Sequence, residues 1–168
     1  TSLIHMYKYL DVLWGQTRQK FIEYTNYRQT EWGATEVFPG VFIGNLASAF
    51  DIEALEQHHI QGIVCTVNGI THTHSLPILS IPLSDHQDEE FKHYFDSIVD
   101  FSNQHTNVLY HCSYGVSRST TAALTVILTR NKDLALPDAL EQIRKKRPSA
   151  NPNIGFINQL IDWTTDPR

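Results

Sequence analysis

Two cysteines in 168 residues are too few for a secreted disulfide scaffold. Cys65 and Cys112 therefore read as thiols in a reducing compartment, and the expected location is the cytoplasm, with the nucleus as the other candidate. No hydrophobic run approaches the ~20 apolar residues a membrane span requires, so no membrane partner is expected. No secretory leader is visible, although a chain opening at Thr1 leaves a removed one open. Basic residues are scarce: 13 Lys and Arg against 18 Asp and Glu give a formal net charge of −5, which argues against a broad face for nucleic acid. The local exception, Arg144-Lys145-Lys146-Arg147, reads as the solvated last turn of a helix, where the dipole favours cations, ahead of a binding patch. Internal repeats and low-complexity linkers are also missing.

What is present is ordinary globular chemistry, 41% hydrophobic and 18% charged, in a length suited to one domain with a sizeable core. Leu3, Met6, Tyr7, Leu10, Leu13, Trp14, Phe21 and Ile22 predict an amphipathic helix from Leu3 to Tyr27, for packing on its own domain ahead of a partner or a second copy. Glu36 to Gly44 reads as two short strands around a Pro39-Gly40 turn. Ser48-Ala-Phe-Asp51 predicts a capping box opening a helix through Leu55. Gln61 to Val67 reads as a buried strand, and Leu76 to Leu83 as an edge strand because of its two prolines. His72 and His74, on the polar loop between them, lack a third ligand and read as surface histidines ahead of a metal site.

Asp88 stands where the N-cap of a helix to about Gln104 would fall, with Phe91, Phe95, Ile98, Val99 and Phe101 on its buried face. A strand from Val108, a loop and a helix from Ser117 to Arg130 follow. Further helices run from Pro137 to Arg147, stopped by Pro148, and from Asn153 to Trp163. Strands alternating with helices imply an α/β fold, with a central mainly parallel sheet flanked by helices and an extra N-terminal helix. The expected organisation is an extension over 1–30 and one domain over 31–168.

The chain is organised around Val108 to Leu124. A strand leads into Cys112-Ser-Tyr-Gly-Val-Ser-Arg118, a loop of small residues whose backbone N–H groups can converge on an anion, capped by a helix N-terminus. A thiol there ionises below its usual pKa near ~8.5. Arg118 offers a planar fork that matches two phosphate oxygens, which a Lys ammonium does not copy. Taken alone, the loop leaves reductase, sulfurtransferase and phosphatase all open.

His111-Cys112-Ser113-Tyr114-Gly115-Val116-Ser117-Arg118-Ser119 resembles the signature of the cysteine-based protein phosphatases, and its Gly-x-Ser-Arg-Ser ending resembles the dual-specificity branch. The likeness runs from Val37 onward. Val41-Phe-Ile-Gly-Asn45 resembles that family's opening strand, Ile81-Pro-Leu-Ser-Asp85 its general-acid segment, and Arg147-Pro-Ser-Ala-Asn-Pro-Asn153-Ile-Gly-Phe156 its final turn. The resemblance implies a cysteine-phosphatase-like fold of the small type without a kinase-docking domain, and no cofactor or metal. It implies hydrolysis of phosphotyrosine and of phosphoserine or phosphothreonine through a phosphocysteine on Cys112.

By the same resemblance, residues 113–118 bind phosphate and Ser119 gives its hydroxyl to the Cys112 sulfur. His111 orients the loop, and Asn153 hydrogen-bonds it from the last helix. Asp85 is preferred to Asp88 as general acid and base, since Asp88 already has work as a helix cap. The implied partner is a phosphoprotein, a protein kinase being one such candidate. The other readings are a phosphoprotein-binding module with little turnover, and a phosphatase for RNA 5′-phosphates, a phosphoglucan or a phosphoinositide. The absence of Lys between Cys112 and Arg118 weighs against the last. Cys65 reads as a core residue ahead of a redox partner for Cys112.

Overall fold

A computed structural model describes residues 32–166. The helix expected over Leu3–Tyr27, and with it any self-association surface there, lies outside the described residues. From Ala34 onward the chain forms one compact unit.

Five strands form a single sheet among the described residues: β1 (Ala34–Phe38), β2 (Val41–Gly44), β3 (Gly62–Cys65), β4 (Ile78–Ser80) and β5 (Val108–His111). Their order is β1-β2-β5-β3-β4, with β1 and β2 antiparallel and every other pairing parallel. The Pro39-Gly40 turn joins the antiparallel pair as expected, Gly40 taking φ +74°, which a side chain resists. The three central strands are buried at every residue. That is why Val-Phe-Ile, Ile-Val-Cys and Val-Leu-Tyr run apolar without alternating. β4 is half-exposed at the edge, where Pro77 and Pro82 cost no ladder bonds.

Five α-helices follow in chain order: α1 (Ile52–Gln57), α2 (Phe95–Ser102), α3 (Arg118–Arg130), α4 (Leu136–Lys146) and α5 (Ile154–Thr165). α3 packs on β2, β3 and β5 and against α2, α4 and α5, and is buried from Arg118 to Leu128. It carries Thr120, Thr121, Thr125 and Thr129 because each hydroxyl bonds a carbonyl three or four residues back. The core cluster joins Val41, Ile43, Val64, Val108 and Tyr110 of the sheet to Leu124, Ile127, Ile143, Phe156 and Leu160 of the helices.

Two helix starts differ from expectation. Ala47–Phe50 is a 3-10 turn in which the Ser48 hydroxyl donates back to the Asn45 carbonyl, so Ser48 is not the cap of α1. Asp51 caps α1 instead, accepting from the Ala54 amide at 3.0 Å. Asp88 caps no helix either. The chain enters α2 through a 3-10 turn at Lys92–Tyr94, and the amides of Phe91 and Lys92 donate to Gln159 Oε1 of α5, each at 2.8 Å. A side chain from the far end of the domain meets the need that a local cap would have met.

Candidate active site

β5 ends at His111, α3 begins at Arg118, and residues 112–117 make the turn between them. The carbonyls of that turn all face outward to partners. Ser113 O accepts from the Leu46 amide at 3.1 Å, and Gly115 O from Arg147 Nε at 2.9 Å. Tyr114 O accepts from Arg147 Nη2 at 3.5 Å, and Val116 O from the Asn151 amide at 2.9 Å. Ser117 O takes the Thr121 amide and hydroxyl. Peptide units held outward by their oxygens present N–H groups on the inner side, as an anion-binding nest does. Gly115, at φ +69°, permits the sharpest bend; a Cβ there would strike Arg147 Nη2.

Cys112 Sγ lies in this ring. It accepts from the Gly115 amide at 3.2 Å, and Ser119 Oγ is 3.2 Å away, placed to donate to a thiolate. Burial opposes ionisation of this thiol. The Arg118 charge, the Ser119 hydroxyl and the amides of Ser119 and Val116 outweigh it and hold its pKa below the usual thiol value. Arg118 is itself buried, at 5% exposed. Its Nη1 donates to Leu83 O at 2.9 Å and Thr66 O at 3.4 Å, and its Nη2 to Ser113 Oγ at 3.1 Å. Nε is buried without a hydrogen-bond partner among the described residues. A donor in that state suits an oxygen of a bound oxyanion.

The anchoring of Arg118 on Leu83 O ties the loop to the Ile81–Asp85 segment. Asp85 is half-buried, and its Oδ1 accepts from Asn153 Nδ2 at 2.9 Å. Asp88 is exposed, its amide and carboxylate turned to His86. Asn153 differs from expectation in detail: its side chain holds Asp85 and caps α5 through the Phe156 amide, while its backbone N–H donates to Ser117 Oγ at 2.9 Å. It reaches the loop through the main chain only. His111 is fully buried, Nδ1 3.4 Å from Cys112 O and Nε2 3.1 Å from His72 Nε2.

The sequence reading missed Arg147. It is no solvated end of a helix: 3% exposed, it fixes Tyr114 O and Gly115 O and reaches Thr35 Oγ1 at 3.0 Å. Arg144 is likewise engaged, on Ala150 O and Asn151 Oδ1, whereas Lys145 and Lys146 are exposed. The available signal was Pro148, which breaks the helix at Arg147 and turns that side chain out of the basic run. His72 and His74 are partly exposed but not freely solvated. Both are half-buried, His72 stacked on Phe50 and His74 Nε2 bonded to Ala49 O at 3.0 Å.

A parallel sheet, a thiol in a ring of amides and an arginine at the start of the following helix define the class of cysteine-dependent phosphate-binding folds. The model of the dual specificity phosphatase catalytic domain matches residues 41–166, and the chain belongs to that family. It is 30% identical over 142 residues, 79% of its length, to the dual specificity protein phosphatase Mpk3 of Drosophila melanogaster, and spans 34% of that protein. The crystal structure of DUSP15 superposes with TM-score 0.76 at 31% identity, over 80% of this chain and 89% of the other. That of the human tyrosine phosphatase-like serine/threonine/tyrosine-interacting protein gives TM-score 0.69 at 26% identity, over 79% and 96%. No helix among the described residues is long and apolar enough to cross a membrane.

Proposed function

We propose that residues 31–168 are a protein phosphatase domain, preceded by an extension over 1–30, that hydrolyses phosphotyrosine and phosphoserine or phosphothreonine in protein substrates. The observation that carries this reading is the pairing, on one sulfur, of the Gly115 amide and the Ser119 hydroxyl beside the buried Arg118. Such a thiolate attacks phosphorus, and the bond from phosphorus to the ester oxygen breaks. Protonated Asp85 gives its proton to that departing oxygen. The inner amides and Arg118 Nε take the charge of the equatorial oxygens, the Ser113 contact yielding Nη2 as well. Water then attacks the phosphocysteine. Asp85, now carboxylate, accepts the water's proton as the sulfur–phosphorus bond breaks, and Ser119 supports the departing thiolate.

Asn153 supports the choice of Asp85, because it fixes the Asp85 carboxylate while Asp88 stays in solvent. The loop carries no Lys to meet a polyanionic headgroup, which favours a protein monoester over a phosphoinositide. We also propose a kinase among the phosphoprotein substrates, a location in the cytoplasm or nucleus, and self-association through the extension.

One comparison favours a second reading: a similar fold occurs in a protein described as phosphatase-like and interacting, so architecture alone does not require turnover. Release of phosphate from a phosphotyrosine peptide separates the two. Turnover is expected, falling by about 10⁴-fold or more in Cys112→Ser and by about 10²-fold in Asp85→Asn. Phosphopeptide binding with no release in the unmodified chain supports the module instead, and loss of turnover in Asp88→Asn but not Asp85→Asn reassigns the acid.

A further inference from the structure

Strand alternation divides the sheet's side chains. Val41, Ile43, Val64, Val108 and Tyr110 join the main core, so Cys65 and His111, each one position further along, turn to the opposite face. The parallel register of β3 and β5 sets those two residues directly beside one another. The loop after β3 then folds His72 over them, its Nε2 at 3.1 Å from His111 Nε2. One donor atom from each of Cys65, His72 and His111 lies within 4.8 Å of the others. Nothing in the phosphatase reaction uses Cys65 or His72.

We propose that Cys65, His72 and His111 form a site for a single zinc ion. Two imidazoles and a thiolate are a donor set that Zn²⁺ favours over the harder divalent cations. Nitrogens bound tetrahedrally at about 2.0–2.1 Å stand about 3.3 Å apart, and a sulfur bound at about 2.3 Å stands about 3.6 Å from each. The two imidazole nitrogens already have nearly the first spacing. Closing the sulfur distances asks for movements of about 1.2 Å at most, met by turning the Cys65 side chain toward His111 and shifting His72, the half-exposed member, while the strands keep their register.

His111 is prepared as a ligand in a second respect. Its Nδ1 faces the Cys112 carbonyl at 3.4 Å, and a proton held there would leave the Nε2 lone pair toward His72. Metal-bound histidines commonly hold their second nitrogen in this way, and the partner fixes tautomer and ring orientation. Without metal, the 3.1 Å contact between the two Nε2 atoms holds one proton; with metal, the ion would take that place and the proton would move to an Nδ1. Binding forms the zinc–sulfur bond, breaks the Cys65 S–H bond and releases one proton to solvent.

Cys112 is not a ligand, although His111 adjoins it, and metal titration of the chelator-stripped chain tests the site without reference to turnover, so it stands or falls apart from the phosphatase reading. Cobalt(II) should bind one to one with near-ultraviolet thiolate-to-metal absorption and the visible bands of four-coordinate cobalt, and zinc should displace it. Cys65→Ser should abolish the charge-transfer band, and His72→Ala, a change outside the packed core, should weaken zinc binding by about a hundredfold. Cys112→Ser should retain both band and affinity. A band that survives in Cys65→Ser, a band lost in Cys112→Ser, or no stoichiometric binding by the unmodified chain overturns the proposal.

Discussion

The two cysteines end neighbouring strands of one sheet and are almost equally buried, Cys65 at 1% and Cys112 at 3% exposed, yet their acidities move in opposite directions. Burial pushes the Cys65 thiol up to about 11, and it donates a hydrogen bond to Val67 O at 3.6 Å. Burial acts on Cys112 in the same sense, and the Arg118 charge, Ser119 and the loop amides reverse it. Arg118 also lowers Cys65, but too weakly to offset desolvation there. The difference comes from donors aimed at the sulfur. Where the strand continues into coil, Cys65 meets a carbonyl; where it breaks into a nest and a helix N-terminus, Cys112 meets N–H groups.

The largest test of that contrast is the selectivity of alkylation. At pH 7, Cys112 is expected to react with iodoacetamide at least about a hundred times faster than Cys65, because only thiolate attacks and Cys65 is almost wholly thiol. Peptide mapping at timed intervals measures the ratio. Equal rates would mean that the loop amides do not act on the sulfur. Thiolate is the active form and its pKa is lowered, so turnover should persist below the pH at which an ordinary thiol protonates, and fall only as pH drops through the Cys112 pKa.

How much of this was legible before the fold depends on how local each interaction is. Cys112 to Ser119 lie within eight consecutive residues on a single strand-to-helix turn, so spacing exposed an anion loop with an activated thiol, while the phosphatase reading and the role of Ser119 came with the family resemblance. The apolar run of β3 read as a buried strand, and the alternation of strands with helices implied the mainly parallel sheet. Arg147 was read wrongly because its partners, Tyr114 O and Gly115 O, are distant in sequence and its neighbours Lys145 and Lys146 are solvated. Asp88 was given a cap that Gln159 supplies from α5. The grouping of Cys65, His72 and His111 depends on the register of β3 against β5, which no single stretch of sequence contains.

A second test removes the leading donor. Arg118→Met should move the acid limb of kcat/KM to higher pH, toward the behaviour of Cys65, and lower kcat by about 10³-fold through loss of the oxyanion's cation. Arg118→Lys restores the charge without the fork. It should therefore bring back much of the alkylation rate while leaving turnover well below the parent. If Lys rescued both equally, the arginine would act as a point charge, and the free Nε would have no part in binding phosphate.

The smallest expected change isolates one hydrogen bond. Ser119 Oγ stands 3.2 Å from Cys112 Sγ, and its side chain is the next lowering influence on that thiol after Arg118. Ser119→Ala removes the hydroxyl without touching the loop carbonyls or Arg147. The acid limb should shift upward in pH by less than in Arg118→Met, and a hydrogen bond to a charged group corresponds to about tenfold in rate. That loss should fall on the second half-reaction, where sulfur leaves phosphorus and its negative charge returns. With a good leaving group, rapid-mixing kinetics should therefore show a burst of released phenol in Ser119→Ala, followed by slow release of phosphate. A uniform slowing with no burst would assign the hydroxyl to attack rather than departure, and would leave Gly115 and Arg118 as the groups that distinguish Cys112 from Cys65.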